Sequence, residues 1–253
     1  MWSVFLPLLA AGLYGLYGWH SRVPLEYDFP IASGNGSVLF PMHPCRGVQL
    51  EEASIDHLQA LMTSRTLSSV DLLDCYMNRV FQTSNYLKYA PFPPSSAWSA
   101  LTVISAIIQL NPDALEIAKS VDEERAQGKT RGRLHGIPFI VKDNIATKDR
   151  METTSGSWAL LGSVVPRDAH VVRQLRKAGA VLLGKAALSE WADMRSNTYS
   201  EGYSGRGGQC RSAYNLTVNP GGSSSGSGVA VGANLVPFAL GTDTDGSGTS
   251  ISL

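Results

Sequence analysis

The sequence predicts an α/β domain, and three observations carry that prediction. Amphipathic segments of helical period recur along the chain, short apolar runs of strand length lie between them, and loops of Gly and Ser sit at the ends of those runs. With 253 residues the chain is long enough to bury a core, and no internal repeat or linker calls for a second folded domain. Lys plus Arg number 21 and Asp plus Glu number 21, so no charge imbalance points to nucleic acid or to an anionic surface. The partner this composition suits is a small molecule.

The N-terminal elements come first. Residues 4–16 are mostly apolar and are bounded by Trp19-His20-Ser21-Arg22. That run is short for a bilayer span of about 20 residues and fits the core of a secretory signal sequence, although it lacks a basic start and a small-x-small cleavage site. Residues 1–25 are therefore expected to be a signal peptide or signal anchor, with 26–253 the folded domain. Secretion follows from the first reading, and membrane association through an anchor at residues 4–18 from the second. Triplets at Asn35-Gly36-Ser37 and Asn215-Leu216-Thr217 fit a glycosylated secretory protein. Cys45, Cys75 and Cys210 allow one bridge at most, and their spacing suggests no metal site; no cofactor is expected.

The helices and strands follow in order. Residues 53–62 and 68–80 read as amphipathic helices, and Ser68 followed by Asp71 is a capping pattern for the second. A proline cluster at Pro91, Pro93 and Pro94 then interrupts a helix-to-helix connection that resumes at Ala106-Ile107-Ile108-Gln109-Leu110. Residues 111–125 read as a helix with Pro112 in its first turn and Leu115 and Ala118 on one face. His135-Gly136-Ile137-Pro138 turns into an apolar strand that ends in Lys142. Residues 168–179 read as a helix capped by Asp168, with Arg176 and Lys177 in the last turn and Gly179 as the stop, and a buried strand at 180–183 follows. His135 and His170 are read as structural. The run from Gly179 to Ala186 nearly spells a phosphate-binding loop, but Ala186 stands where a hydroxyl would hold magnesium, and the residues between are an apolar strand. Residues 194–208 are a loop that either lines a substrate channel or lies on the surface.

The chemistry concentrates in residues 219–247. Two small-residue loops bearing serines flank an apolar run at 229–240 that suits a buried helix and strand, an alternation that flexible linkers do not show. A serine hydroxyl is a poor nucleophile until a base takes its proton and N–H donors receive the oxyanion. Thr244, Asp245, Gly246 and Ser247 form a tight turn whose backbone N–H groups are candidates for that role, with Ser247 as nucleophile. A lysine at the end of an apolar strand, such as Lys142, can act as a base only when it is neutral. To be neutral near pH 7 it needs its ordinary pKa of about 10.4 lowered by about 3 units, which takes about 4 kcal/mol of desolvation or like-charge repulsion.

The lysine strand at 135–144, Gly221-Gly222-Ser223-Ser224 and Gly241-Thr242-Asp243-Thr244-Asp245-Gly246-Ser247 together resemble the amidase signature family. That resemblance implies a mixed β-sheet core covered by α-helices, with helical pairs such as 53–80 outside the sheet. It implies a Ser–Ser–Lys triad in which Ser247 is the nucleophile, Ser223, after a cis peptide bond, is the relay and Lys142 is the base. Ser224 supports the site by hydrogen bonding. The reaction implied is hydrolysis of a linear carboxamide. The family fold needs about twice this length, and the residues after Ser247 depart from the family's Ile-Arg-x-Pro-like strand, so the domain is expected to be a truncated one. The alternative is a catalytically inactive remnant with a binding role. The insert at 89–104 and the divergent end at 248–253 are read either as genuine or as errors of the gene structure.

Overall fold

The computed structural model describes residues 41–84 and 106–249. The leader at 1–25, the triplet at 35–37, the proline-rich insert and the last four residues lie outside them.

Two helices open the described chain, α1 (Ile55–Thr63) and α2 (Ser69–Ser84). The Ser54 hydroxyl accepts from His57 N–H at 3.2 Å to start α1. At α2 the predicted capping pair is reciprocal: Asp71 N–H donates to Ser68 Oγ at 3.0 Å, and Ser68 N–H donates to Asp71 Oδ2 at 2.9 Å. A second carboxylate, Asp122, accepts from Ser69 N–H and Val70 N–H at 2.8 and 3.0 Å and ties the start of α2 to α3 (Ala114–Ala126). Cys45 and Cys75 are joined in a disulfide that fastens the segment before α1 to α2, and Cys210 is buried and unbridged.

The sheet has the order β1-β3-β2-β6, from β1 (Ile107–Leu110), β2 (Pro138–Lys142), β3 (Val181–Ala186) and β6 (Ala239–Leu240). β2 runs parallel to both β3 and β6, whereas β1 is antiparallel to β3, so the sheet is mixed as expected. The central strands β2 and β3 are buried along their whole length, which is why they read as continuous apolar runs rather than alternating ones. Ile140, Val181 and Leu183 point to a core shared with α2, α3 and α5 (Ser225–Gly232). Phe139, Val141 and Leu182 point to the opposite face, where Val172 of α4 (His170–Lys177) packs. Phe139 stacks on Phe238 there, with ring centroids 5.3 Å apart. A separate two-stranded hairpin, β4 (Tyr203–Ser204) and β5 (Gly208–Gln209), lies in the loop read from 194 to 208.

Several expectations are corrected. Ile107–Leu110, read within a helix-to-helix connection, is strand β1; its two isoleucines pack into the core while its backbone pairs with β3. In α3 the buried face is Ala114, Ala118 and Val121, and Leu115 is 48% exposed on the other side. Asp168 does not cap α4: the cap position is Ala169, and the Asp168 carboxylate instead accepts from Lys148 N–H at 2.7 Å and pairs with Arg176. Gly179 does take the left-handed conformation that ends α4, at φ +80°. Strand β3 runs on to Ala186, so Gly184 and Lys185 are strand residues and this run is not a phosphate loop. His135 is buried against Val121 O at 2.8 Å, and His170 lies exposed beside Arg173 and Gln174. Among the described residues no helix is long and apolar enough to cross a membrane.

Candidate active site

Strand β2 delivers Lys142 to its C-terminal end, fully buried, because the strand before it is apolar on both faces. The ammonium group reaches Ser223 Oγ at 2.7 Å and Thr242 O at 3.4 Å. Burial lowers the Lys142 pKa to about 8, and the nearby carboxylates of Asp193 and Asp243 oppose that shift.

Ser223 follows a cis peptide bond from Gly222 and sits just before α5. Its surroundings are tied on several sides. Ser225 Oγ donates to Gly221 O at 2.7 Å, and Gly226 N–H donates to Ala187 O at 3.0 Å, which seats the start of α5 on the residue after β3. A Cβ on Gly226 would lie 2.4 Å from Ala106 O, so the close approach requires glycine. Ser189 N–H donates to Ser223 O at 3.1 Å.

The loop after β6 closes over this serine. Ser224 N–H donates to Ser247 O at 3.1 Å, Ser224 Oγ donates to Thr242 O at 3.0 Å, and Thr242 N–H returns a bond to Ser224 Oγ at 3.2 Å. Asn144 Nδ2, two residues past Lys142, donates to Thr242 Oγ1 at 3.0 Å. Thr242 thus links the lysine strand to the loop that enters α5. Ser247 is 9% exposed. In the 244–247 turn Gly246 departs from its expected role: its N–H donates to Asp243 Oδ1 at 2.8 Å, while Gly248 N–H donates to Oδ2 at 2.9 Å. Thr244 and Asp245 are exposed beside it.

Strand β3 carries a second buried lysine. Lys185 of β3 is in register with Val141, and its pKa falls to about 8 through burial, opposed by Asp143. It donates to Ile145 O at 2.6 Å and to Thr153 Oγ1 at 2.9 Å. Asp143, next to Lys142, is buried and its carboxyl is pushed up by that burial; Oδ2 accepts from Thr154 N–H at 3.2 Å, Thr154 Oγ1 at 2.5 Å and Gly156 N–H at 3.0 Å. These two residues fix the loop that leaves the lysine strand. Lys185 carried the same signal as Lys142, an apolar run meeting a lysine, whereas Thr242 carried none.

The chain has relatives among known proteins. Residues 96–250 match the profile of the family described as Amidase. A protein named as an amidase from Schizosaccharomyces pombe is 58% identical over 213 residues, covering 84% of this chain and 34% of the relative. A protein named as an amidase from Arabidopsis thaliana is 44% identical over 200 residues, covering 78% of this chain and 36% of its own. The solved structure of peptide amidase from Stenotrophomonas maltophilia superposes with a TM-score of 0.69 at 47% identity, over 78% of this chain and 37% of that one. The chain spans about a third of the length of the curated relatives it matches. By profile, by sequence and by fold, the chain belongs to the amidase family.

Proposed function

We propose that this chain carries the catalytic machinery of an amide-bond hydrolase that works through a Ser247–Ser223–Lys142 triad. The observation that supports the reading most is the 2.7 Å contact between Lys142 Nζ and Ser223 Oγ, made by an amine whose pKa burial has brought to about 8. A neutral amine there accepts the Ser223 proton while Ser223 takes the proton of Ser247. Ser247 Oγ then attacks the substrate carbonyl, and the N–H groups of Thr244, Asp245 and Ser247 are the candidates to receive the oxyanion, since Gly246 N–H is held by Asp243. The proton returns through Ser223 to the departing nitrogen, the C–N bond breaks, and water hydrolyses the acyl-serine by the same route. Amine or ammonia and a carboxylic acid are the products.

The substrate class is a linear carboxamide, and likeness to a peptide amidase makes peptide amides the first compounds to try. The test is release of ammonia from a peptide amide by the purified chain, with Lys142→Ala as control; turnover that survives in the variant would contradict the reading. We assign the protein to the secretory pathway, with a leader or anchor at residues 1–25, on the strength of the Cys45–Cys75 bridge and the exposed Asn215 of the second triplet. A glycosidase-sensitive mass shift at Asn215 in protein from secretory cells tests that assignment.

A further inference from the structure

The Gly222–Ser223 peptide is gripped from a side that neither the lysine strand nor the nucleophile loop supplies. Ser189, three residues past β3, is buried and donates its N–H to Ser223 O at 3.1 Å. Its hydroxyl accepts from Gly202 N–H at 3.0 Å, and its own proton goes to Glu201 Oε2 at 3.2 Å. The same carboxylate oxygen occupies the place where a side chain on residue 222 would begin: a Cβ there would lie 1.8 Å from Glu201 Oε2 and 2.6 Å from Ser189 Oγ. A side chain at residue 222 would displace that carboxylate.

We propose that Glu201 is a positioning residue for Ser223, acting through Ser189 to hold the Gly222–Ser223 peptide and so to aim the relay hydroxyl at Lys142. This inference rests on the reading of Ser223 as the relay. What the site requires of residue 201 is a hydrogen-bond acceptor that directs the Ser189 proton away from Ser223, because the Ser189 hydroxyl can then keep its lone pair for Gly202 and its N–H for Ser223 O. Burial and the neighbouring Asp193 raise the Glu201 pKa, while hydrogen bonds from Ser189 and Tyr199 lower it. A glutamine at 201 keeps an acceptor oxygen of the same reach, so it is expected to serve as well. Glu201 touches no reacting atom in this scheme.

The test uses the 253-residue chain with Glu201→Ala, Glu201→Gln and Gly222→Ala, the last of which displaces only the far ends of flexible side chains. Two quantities are read: the rate of fluorophosphonate modification of Ser247, resolved into its maximal rate and its half-saturating probe concentration, and the backbone amide exchange of residues 219–228. Glu201→Ala and Gly222→Ala are expected to lower the maximal rate by about tenfold at unchanged half-saturation and to speed exchange in that segment. Glu201→Gln is expected to restore both. Wild-type rate and exchange in Glu201→Ala, or a Glu201→Gln variant as impaired as Glu201→Ala, would overturn the proposal. If wild-type protein takes no label at Ser247, the triad reading fails, and amide exchange alone still decides whether Glu201 holds the peptide.

Discussion

Lys142 and Ser223 lie 81 residues apart in sequence, and their side chains meet at 2.7 Å in a fully buried contact. The meeting is a product of the sheet. β2 is flanked by β3 and β6, α5 packs across β2 and β3, and the loop entering α5 is thereby set over the C-terminal end of β2. Ligands in open α/β folds commonly sit at the C-terminal ends of parallel strands, and this contact lies at such an end.

On the proposed triad, the pH dependence of the reaction follows from Lys142. The amine must be neutral to take a proton, and its pKa is about 8. The rate of acylation of Ser247 is expected to rise with pH through about 8 and to level above it, a profile measurable with a fluorophosphonate probe between pH 6 and pH 10. Stability has its own sign. The folded-state pKa lies below the ordinary 10.5, so protonated Lys142 destabilises the fold fully below about pH 8, and that penalty fades as pH rises towards 10.5. Lys142→Met is therefore expected to melt higher than wild type at pH 7, with a difference that shrinks at alkaline pH.

The start of α2 is held by the reciprocal pair Ser68 and Asp71. Ser68→Ala removes one half of the box and is expected to destabilise the protein by about 0.5–2 kcal/mol, read as a lower urea midpoint at unchanged slope.

Gly226 permits α5 to touch backbone. A methyl group there would meet Ala106 O at 2.4 Å and the Ala187 backbone at 2.5 and 2.6 Å, and none of these atoms can swing aside. Gly226→Ala is expected to lower stability by about 1–3 kcal/mol and to slow Ser247 labelling by displacing Ser223, both checked on one preparation.

The Cys45–Cys75 bridge closes a separation of 30 residues. Its removal by Cys75→Ser is expected to destabilise the protein by about 3–4 kcal/mol on a chain-entropy account, and the melting temperature of wild type under reducing conditions should fall to match. The buried Cys210 thiol, pushed up to about 12 by burial, is expected to stay unmodified by iodoacetamide at pH 8 in the folded protein.

Much of this was legible in the chain because the signals were local. An apolar run ending in lysine marked β2, the Ser68 and Asp71 spacing marked the start of α2, and Gly179 marked the end of α4. Other features depended on partners far away. Nothing near Asp168 shows that Lys148 and Arg176 would take its carboxylate from the helix it precedes, and nothing near Leu115 shows that α3 buries small residues instead. Glu201 and Thr242 acquire their roles only when three segments converge. Lys185 carries the same local signal as Lys142, a lysine closing an apolar run on a buried strand.

The measurement that bears most directly on the triad is fluorophosphonate labelling of the purified chain, with the modified peptide identified by mass spectrometry and the reaction repeated on Ser247→Ala and Lys142→Ala. The account predicts one label, on Ser247, absent in both variants. A label on another serine, or labelling of Ser247 that persists without Lys142, would contradict it.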